Sequence, residues 1–234
     1  MQRLLQTRNT GNNEGTAEWA LYLLCFDKMS ILNIFGAIKN ETEKKIKSTF
    51  ADPPVLETER LILTKITEEH AEDMYEYSCD PDVTRYLTWS CHASVGQTQR
   101  YIKLLQKKYA DGTFNDWGVV LKETGKFIGT CGYTSFDFEE AQAEMGYVLA
   151  KPYWGKGYAA EAVKCAMKYA IDNFGIKGFH AKHMEGNDAS GRVMQKCGMK
   201  FEGMYRHSMF IKGEFKNIVV YRCTSEEFLE KISK

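Results

Sequence analysis

Val148-Leu149-Ala150-Lys151-Pro152-Tyr153-Trp154-Gly155-Lys156-Gly157-Tyr158-Ala159 is the most informative stretch of this 234-residue chain. An apolar strand ends, two glycines mark a turn, and a helix begins at once. From Ala159 to Phe174 the apolar residues fall at 159, 162, 163, 166, 167, 170, 171 and 174, the spacing of one helix face. Gly175 follows as a C-terminal cap. The first turn of a helix presents unpaired N–H groups and the positive end of the helix dipole, so such a junction suits a phosphate or pyrophosphate. Gly155 and Gly157 would let that anion approach the backbone where a Cβ would obstruct it. A plain tight turn built by the same glycines is the alternative. The Walker spacing G-x-x-x-x-G-K-[ST] is absent. Gly155, Gly157 and Ala160 do match G-x-G-x-x-A, with Glu185 downstream. That fingerprint opens a parallel βαβ unit, however, whereas a hairpin precedes the junction here.

Outward from the junction, short strands alternate with helices. Leu61-Ile62-Leu63 reads as a strand, Thr67 to Tyr77 and Ser94 to Tyr109 as helices, and Trp117–Leu121 with Phe127–Tyr133 as a hairpin around Glu123-Thr124-Gly125-Lys126. Ala143 to Leu149 leads into the glycine turn. Phe179–Met184 is a strand, Ala189–Cys197 a short helix, and Met199–Tyr205 with Ile218–Cys223 a closing antiparallel pair. Residues 1–52 differ from the rest. Thr7 to Gly15 is a polar loop, and Ala17 to Ile38 suggests one or two short amphipathic helices. Asp52-Pro53-Pro54 then marks a boundary, giving an N-terminal extension over 1–52 and a domain over 53–234. The extension is expected to pack on the domain or to make a homodimer contact.

Composition narrows the partners. Lys+Arg and Asp+Glu both number 31, so no electrostatic excess calls for nucleic acid. The longest apolar run, Trp19–Phe26, is far short of a membrane span. Seven scattered cysteines without a C-x-x-C pair predict free thiols in a reducing cytoplasm. His180 and His183 fall on opposite faces of a predicted strand and cannot share a metal, and no other motif calls for one. Tyr86, Trp89 and Trp117 could wall a substrate pocket, although core is the commoner fate of such residues.

Three ordered segments carry a family resemblance. Trp154-Gly155-Lys156-Gly157-Tyr158-Ala159 resembles the acetyl-CoA pyrophosphate loop of the GNAT acetyltransferase superfamily, usually written [QR]-x-x-G-x-[GA]. Leu56-Glu57-Thr58-Glu59-Arg60-Leu61-Ile62-Leu63 resembles the opening strand of its ribosomal-protein N-terminal acetyltransferase (RimJ/RimL-like) branch. Asn187-Asp188-Ala189-Ser190 with Lys196-Cys197-Gly198-Met199 resembles that branch's N-x-x-S … K-x-G-F segment. Trp154 departs from the usual Gln or Arg, Met199 from Phe, and Met194 from a tyrosine that many members use to protonate the departing thiolate.

The resemblance spans about residues 55–225. It implies an α/β (α+β) fold with a splayed, mostly antiparallel seven-stranded sheet flanked by helices. It also implies transfer of acetyl from acetyl-CoA, a co-substrate with no metal, to a primary amine by direct attack in a ternary complex. The branch suggests a protein N-terminal α-amine as acceptor, on a ribosomal or other protein. A small-molecule amine acceptor, or a non-catalytic acyl-CoA sensor, are the alternatives. By the same resemblance Val148, Leu149, Trp154, Gly155, Lys156, Gly157, Tyr158, Ala159 and Asn187 hold the co-substrate, with a backbone N–H near Val148 meeting the oxyanion. Glu144 is then the candidate base, directly or through water, and Ser190 the candidate acid.

Overall fold

The computed structural model describes residues 36–37 and 39–233. The polar stretch Thr7–Gly15 and nearly all of the helical segment expected over Ala17 to Ile38 lie outside the described residues. The compact unit that carries the features below is Thr42–Lys234. It starts upstream of Asp52-Pro53-Pro54 because helix α1 (39–51) delivers Ile46 and Phe50 to the core, at 2% and 0% exposure. The charged run Glu41 to Lys47 hides that apolar stripe in the sequence.

The chain continues through β1 (Leu56–Glu57), β2 (Leu61–Thr64), α2 (Ala71–Ser78), α3 (Pro81–Thr84) and α4 (Val95–Ala110). It then forms β3 (Asn115–Leu121), β4 (Phe127–Asp137), β5 (Gln142–Leu149), α5 (Tyr158–Phe174), β6 (Gly178–Met184) and α6 (Asp188–Lys196). β7 (Lys200–Ile211), β8 (Glu214–Thr224) and α7 (Ser225–Ile232) complete it. Among the described residues the sheet has eight strands in the order β1-β2-β3-β4-β5-β6-β8-β7, one more than the seven expected. The addition is β1, whose two residues pair with Ile62 and Leu63 and are too few to show alternation. All neighbours are antiparallel except β5 and β6, which run parallel.

Alternation along the strands divides the core between the two faces of the sheet. Leu61, Leu63, Trp117 and Val119 pack with α1, α5 and Phe228 of α7. Ile66 and Phe127 pack with Met74 and Tyr77 of α2 and with Ile102, Leu105 and Tyr109 of α4. Trp117 belongs wholly to the core. It is fully buried against Phe50 and Tyr133, with ring centroids at 4.8 and 5.8 Å, and its indole N–H donates to Pro54 O at 2.8 Å.

One departure from regularity positions the site. β5 and β6 are in register only from Gln142–Glu144 against Gly178–His180. Beyond Glu144 they part, leaving a gap that opens onto the start of α5.

Candidate active site

The glycine turn adopts the geometry its residues anticipate. Gly155 and Gly157 have φ of +76° and +87°, in the left-handed region, and Gly157 is the residue that caps α5. A Cβ at Gly155 would meet nothing within 4 Å, so open space lies over the backbone where an anion would sit. With the following turn of α5, these residues border a cleft of about 550 Å³ whose walls include Val148, Leu149, Trp154, Tyr158, Ala159 and Asn187. A pyrophosphate fits there by its chemistry: free amides, a helix N-terminus and no side chain in the way. Lys156 alone among the expected loop residues does not line the cleft. Its carbonyl accepts from Arg60 at 3.1 Å and its ammonium lies over the Tyr153 ring, 5.6 Å from the centroid.

Trp154, at the variant position, is part-exposed, and its indole N–H donates to Leu149 O at 2.7 Å and ties the turn to the end of β5. A second tie comes from the opening segment. Glu161, in the first turn of α5, accepts from Arg60 N at 2.9 Å, Arg60 Nε at 2.7 Å and Thr58 Oγ1 at 2.6 Å. The Arg60 guanidinium also lies over the Tyr158 ring at 4.5 Å. Burial pushes the Glu161 carboxyl up, but hydrogen bonds from Thr58 and Arg60 and the Arg60 charge outweigh it and hold the group ionised below its usual value. Thr58 and Arg60 therefore act as a brace for the loop, a function that the pattern of residues 56–63 does not reveal by itself.

Around Val148 the direction of the amides follows from the register. Val148 is opposite Thr130, and Ala150 N donates to Ile128 O at 2.8 Å. Antiparallel pairs alternate, so Leu149 faces the other way, into the gap. The Trp154 bond to Leu149 O agrees. Of the amides near Val148, that of Leu149 faces the gap.

A second cleft of about 400 Å³ adjoins the first. Its walls include Tyr77, Tyr86, Trp89 and Glu144, with Met209, Ile211 and Ile218 from the β7–β8 hairpin. Tyr86 and Trp89 thus sit where an acceptor would bind. Tyr147, Val148, Asn187 and Ser190 border both clefts, so the two meet at the splay.

Asn187 caps α6 and accepts from Ser190 N at 3.4 Å while facing the first cleft. Ser190 Oγ lies 2.8 Å from the Tyr147 hydroxyl, which also donates to Ser190 O at 2.9 Å. Tyr147 was not legible from the sequence, because only the splay brings β5 to the start of α6. Met194, where the resemblance would place a tyrosine, is buried in the core at 2% exposure.

Glu144 borders the second cleft with its carboxylate 3.0 Å from Lys182 Nζ and 3.5 Å from His180 Nε2. Burial raises its pKa, but the hydrogen bonds from His180 and Lys182 and the Lys182 charge prevail and bring it down to about 2. At neutral pH Glu144 is a fixed negative charge that binds a proton poorly. His183 also lines this cleft and bonds Met184 O at 2.8 Å through Nδ1. Cys197 and Cys223 are buried thiols pushed up to about 12, which makes them inert as nucleophiles. The described cysteines are all free. No helix among the described residues is long and apolar enough to cross a membrane.

A profile of the acetyltransferase (GNAT) domain matches residues 60–200. The uncharacterized N-acetyltransferase p20 of Bacillus licheniformis is 31% identical over 173 residues, 74% of this chain and 97% of that protein. Among solved structures, the Microcin C7 self immunity acetyltransferase MccE, in complex with acetyl-CoA and AMP, superposes with a TM-score of 0.65 at 18% identity, over 71% of this chain and 93% of that one. A ribosomal-protein-S5-alanine acetyltransferase from Vibrio fischeri gives 0.61 at 20% identity, over 75% and 98%. The glycine turn, the splayed parallel pair and the profile all fall within the same residues: the chain belongs to the GNAT family of acetyl-CoA-dependent N-acetyltransferases.

Proposed function

We propose that this acetyltransferase acts in the manner of the RimJ/RimL-like branch and acetylates a protein N-terminal α-amine, on a ribosomal or other protein. The observation that carries the reading is the meeting of two clefts at Tyr147, Val148, Asn187 and Ser190, one with an anion cradle and the other with a carboxylate. Acetyl-CoA in the first cleft and an amine in the second would meet at the splay, so direct attack in a ternary complex needs no covalent enzyme intermediate. A free α-amine titrates near ~8 against ~10.4 for lysine, so it needs less help in losing its proton. The branch motif around Asn187 and Ser190 supports a protein acceptor, as does the name of the Vibrio fischeri neighbour.

The roles follow the chemistry. The Leu149 amide faces the developing oxyanion. Ser190 is the donor to the departing sulfur, after its hydroxyl swings from Tyr147. Glu144 attracts the acceptor's ammonium in competition with Lys182.

The reading is tested by mass spectrometry. The protein and acetyl-CoA are incubated with peptides bearing free N-termini, N-terminally blocked peptides containing lysine, and small polyamines. Acetyl should appear on the α-amine of the unblocked peptides. Transfer confined to polyamines would replace the proposed acceptor class. In the same assay Glu144→Gln is expected to lower kcat/KM for the acceptor roughly 10- to 100-fold, the loss of one charge-assisted contact, while leaving acetyl-CoA affinity unchanged. A non-catalytic sensor would bind acetyl-CoA and show no turnover to lose.

A further inference from the structure

In an α-amine the first side chain starts two bonds from the nitrogen. An amine held at the splay therefore sends that side chain into the nearest part of the second cleft. Tyr86 and Leu87 border both clefts, as Tyr147 and Ser190 do, which puts the loop after α3 at the junction. Two residues of chain span at most about 7 Å, so Trp89 lies within that distance of Leu87, and it lines the second cleft. All three side chains are half-buried. Leu87 and Trp89 pack on the core formed by α2 and α4, and Tyr86 on Met184, Ile211 and Ile218. From the β7–β8 hairpin, Met209, Ile211 and Ile218 add apolar surface to the same cleft.

The loop that carries this wall is fastened at both ends. Leu87 N donates to Thr84 O at 3.0 Å, and His92 N donates to Ser78 O at 2.9 Å. Lys212, at the turn of the hairpin, donates to Thr84 O at 2.7 Å and ties the hairpin to the loop. The Trp89 ring stands 5.5 Å from that of His92, which in turn stands 5.7 Å from Tyr101, centroid to centroid. A wall held in this way needs little ordering when a ligand arrives, so the apolar surface it covers contributes to binding with little offset.

Charge is kept away from it. Tyr86-Leu87-Thr88-Trp89-Ser90-Cys91 carries none. Apart from two histidines, the charged side chains that border the cleft among the described residues are Asp116, Glu144 and Lys182, all from the sheet. Glu144 and Lys182 engage each other.

We propose that the enzyme selects acceptors whose first residue has a large apolar side chain, aliphatic or aromatic, and that Trp89 sets this selection. The inference rests on the N-terminal acceptor class proposed above. With the α-amine at the splay, the first side chain passes Leu87 and lies against Trp89. Alanine or glycine is too short to cover that surface. An ionised side chain would lose hydration against a loop that offers it no partner. Covering one leucine- or phenylalanine-sized side chain is worth about 10- to 100-fold in binding.

The test sets the wild-type protein and acetyl-CoA against pentapeptides that differ only in their first residue: leucine, methionine, phenylalanine, alanine, serine, glycine or lysine. Acetylation is followed by mass spectrometry and read as kcat/KM. The three large apolar residues should lead alanine and glycine by about 10- to 100-fold. In Trp89→Ala the ratio of leucine to alanine should fall below about 3-fold, and Trp89→Phe, which keeps a ring in place, should restore most of it. The ratio compares two substrates on one enzyme, so a loss of folded protein does not move it. Equal rates across the panel, or a lead for alanine, serine or glycine, overturn the inference and leave N-terminal acetylation in place. A lead for lysine overturns it too, and would mean that Asp116 reads the side chain. A Trp89→Ala enzyme with the wild-type ratio overturns the role of Trp89. A wild-type protein that acetylates none of the panel overturns the N-terminal reading itself, and this inference falls with it.

Discussion

Gly157→Val is expected to weaken acetyl-CoA binding by about 100-fold or more while the domain stays folded. Gly157 has φ of +87° at the start of α5, a conformation that a β-branched residue strongly disfavours. Its Cβ would also point at the Arg60 guanidinium, 3.4 Å away, which braces the same loop through Glu161 and Lys156 O. Relief of the backbone strain turns the amides out of the cradle. A hydrogen bond from a backbone N–H to a charged group is worth about 1.5–3 kcal/mol. Losing two of them weakens binding by roughly 10²- to 10⁴-fold, at about 1.4 kcal/mol per decade. Gly125→Val is the control. Gly125 also has positive φ, +68°, with nothing within 4 Å of a Cβ, but it sits in the β3–β4 turn away from both clefts. Titration calorimetry should show acetyl-CoA binding lost in the first variant and kept in the second. Equal affinities would mean that the turn holds no anion.

Trp117→Ala should cost about 3–5 kcal/mol, the range for removing a fully buried large aromatic side chain. For a domain of this size that corresponds to a fall in Tm of roughly 6–20 °C. Trp117 lies between α1 and the sheet, touching the rings of Phe50, Tyr133 and Tyr169. Its bond to Pro54 O also fastens the segment that leads into the brace residues Thr58 and Arg60. Trp117→Phe keeps most of the contact area and loses the N–H, so it should cost much less. Thermal unfolding of the pair checks both expectations, and a Trp117→Ala protein that melts with wild type would exclude α1 from the core.

What the sequence reveals and what it conceals divide along physical lines. The β5–turn–α5 junction is legible because its signals are local: paired glycines, eight apolar residues on one helix face and Gly175 as a cap, which the structure has at φ +68°. Helix α4 is found with its Ser94 cap, which accepts from Gln97 N at 3.3 Å. Four-residue α3 and two-residue β1 are too short for any periodicity to emerge. Helix α7 is different, since Thr224-Ser225-Glu226-Glu227 holds the capping-box pattern in plain view and the structure forms both of its bonds.

The site shows the same contrast. The loop residues and Asn187 are local motifs, and all of them but Lys156 border one cleft. Glu144 and Ser190 border a common cleft too, but their partners Lys182, His180 and Tyr147 come from strand register and splay.

The most direct test of the central claim is the thermal shift of the wild-type protein with acetyl-CoA, compared with NADH and with buffer. A ligand at a hundred times its dissociation constant adds about 2.7 kcal/mol to the folded state. For a domain of this size the expected rise in Tm is roughly 5–11 °C. The account predicts that rise with acetyl-CoA and none with NADH. A shift with NADH alone, or none with acetyl-CoA, would contradict it and return Gly155 and Gly157 to the role of a plain turn.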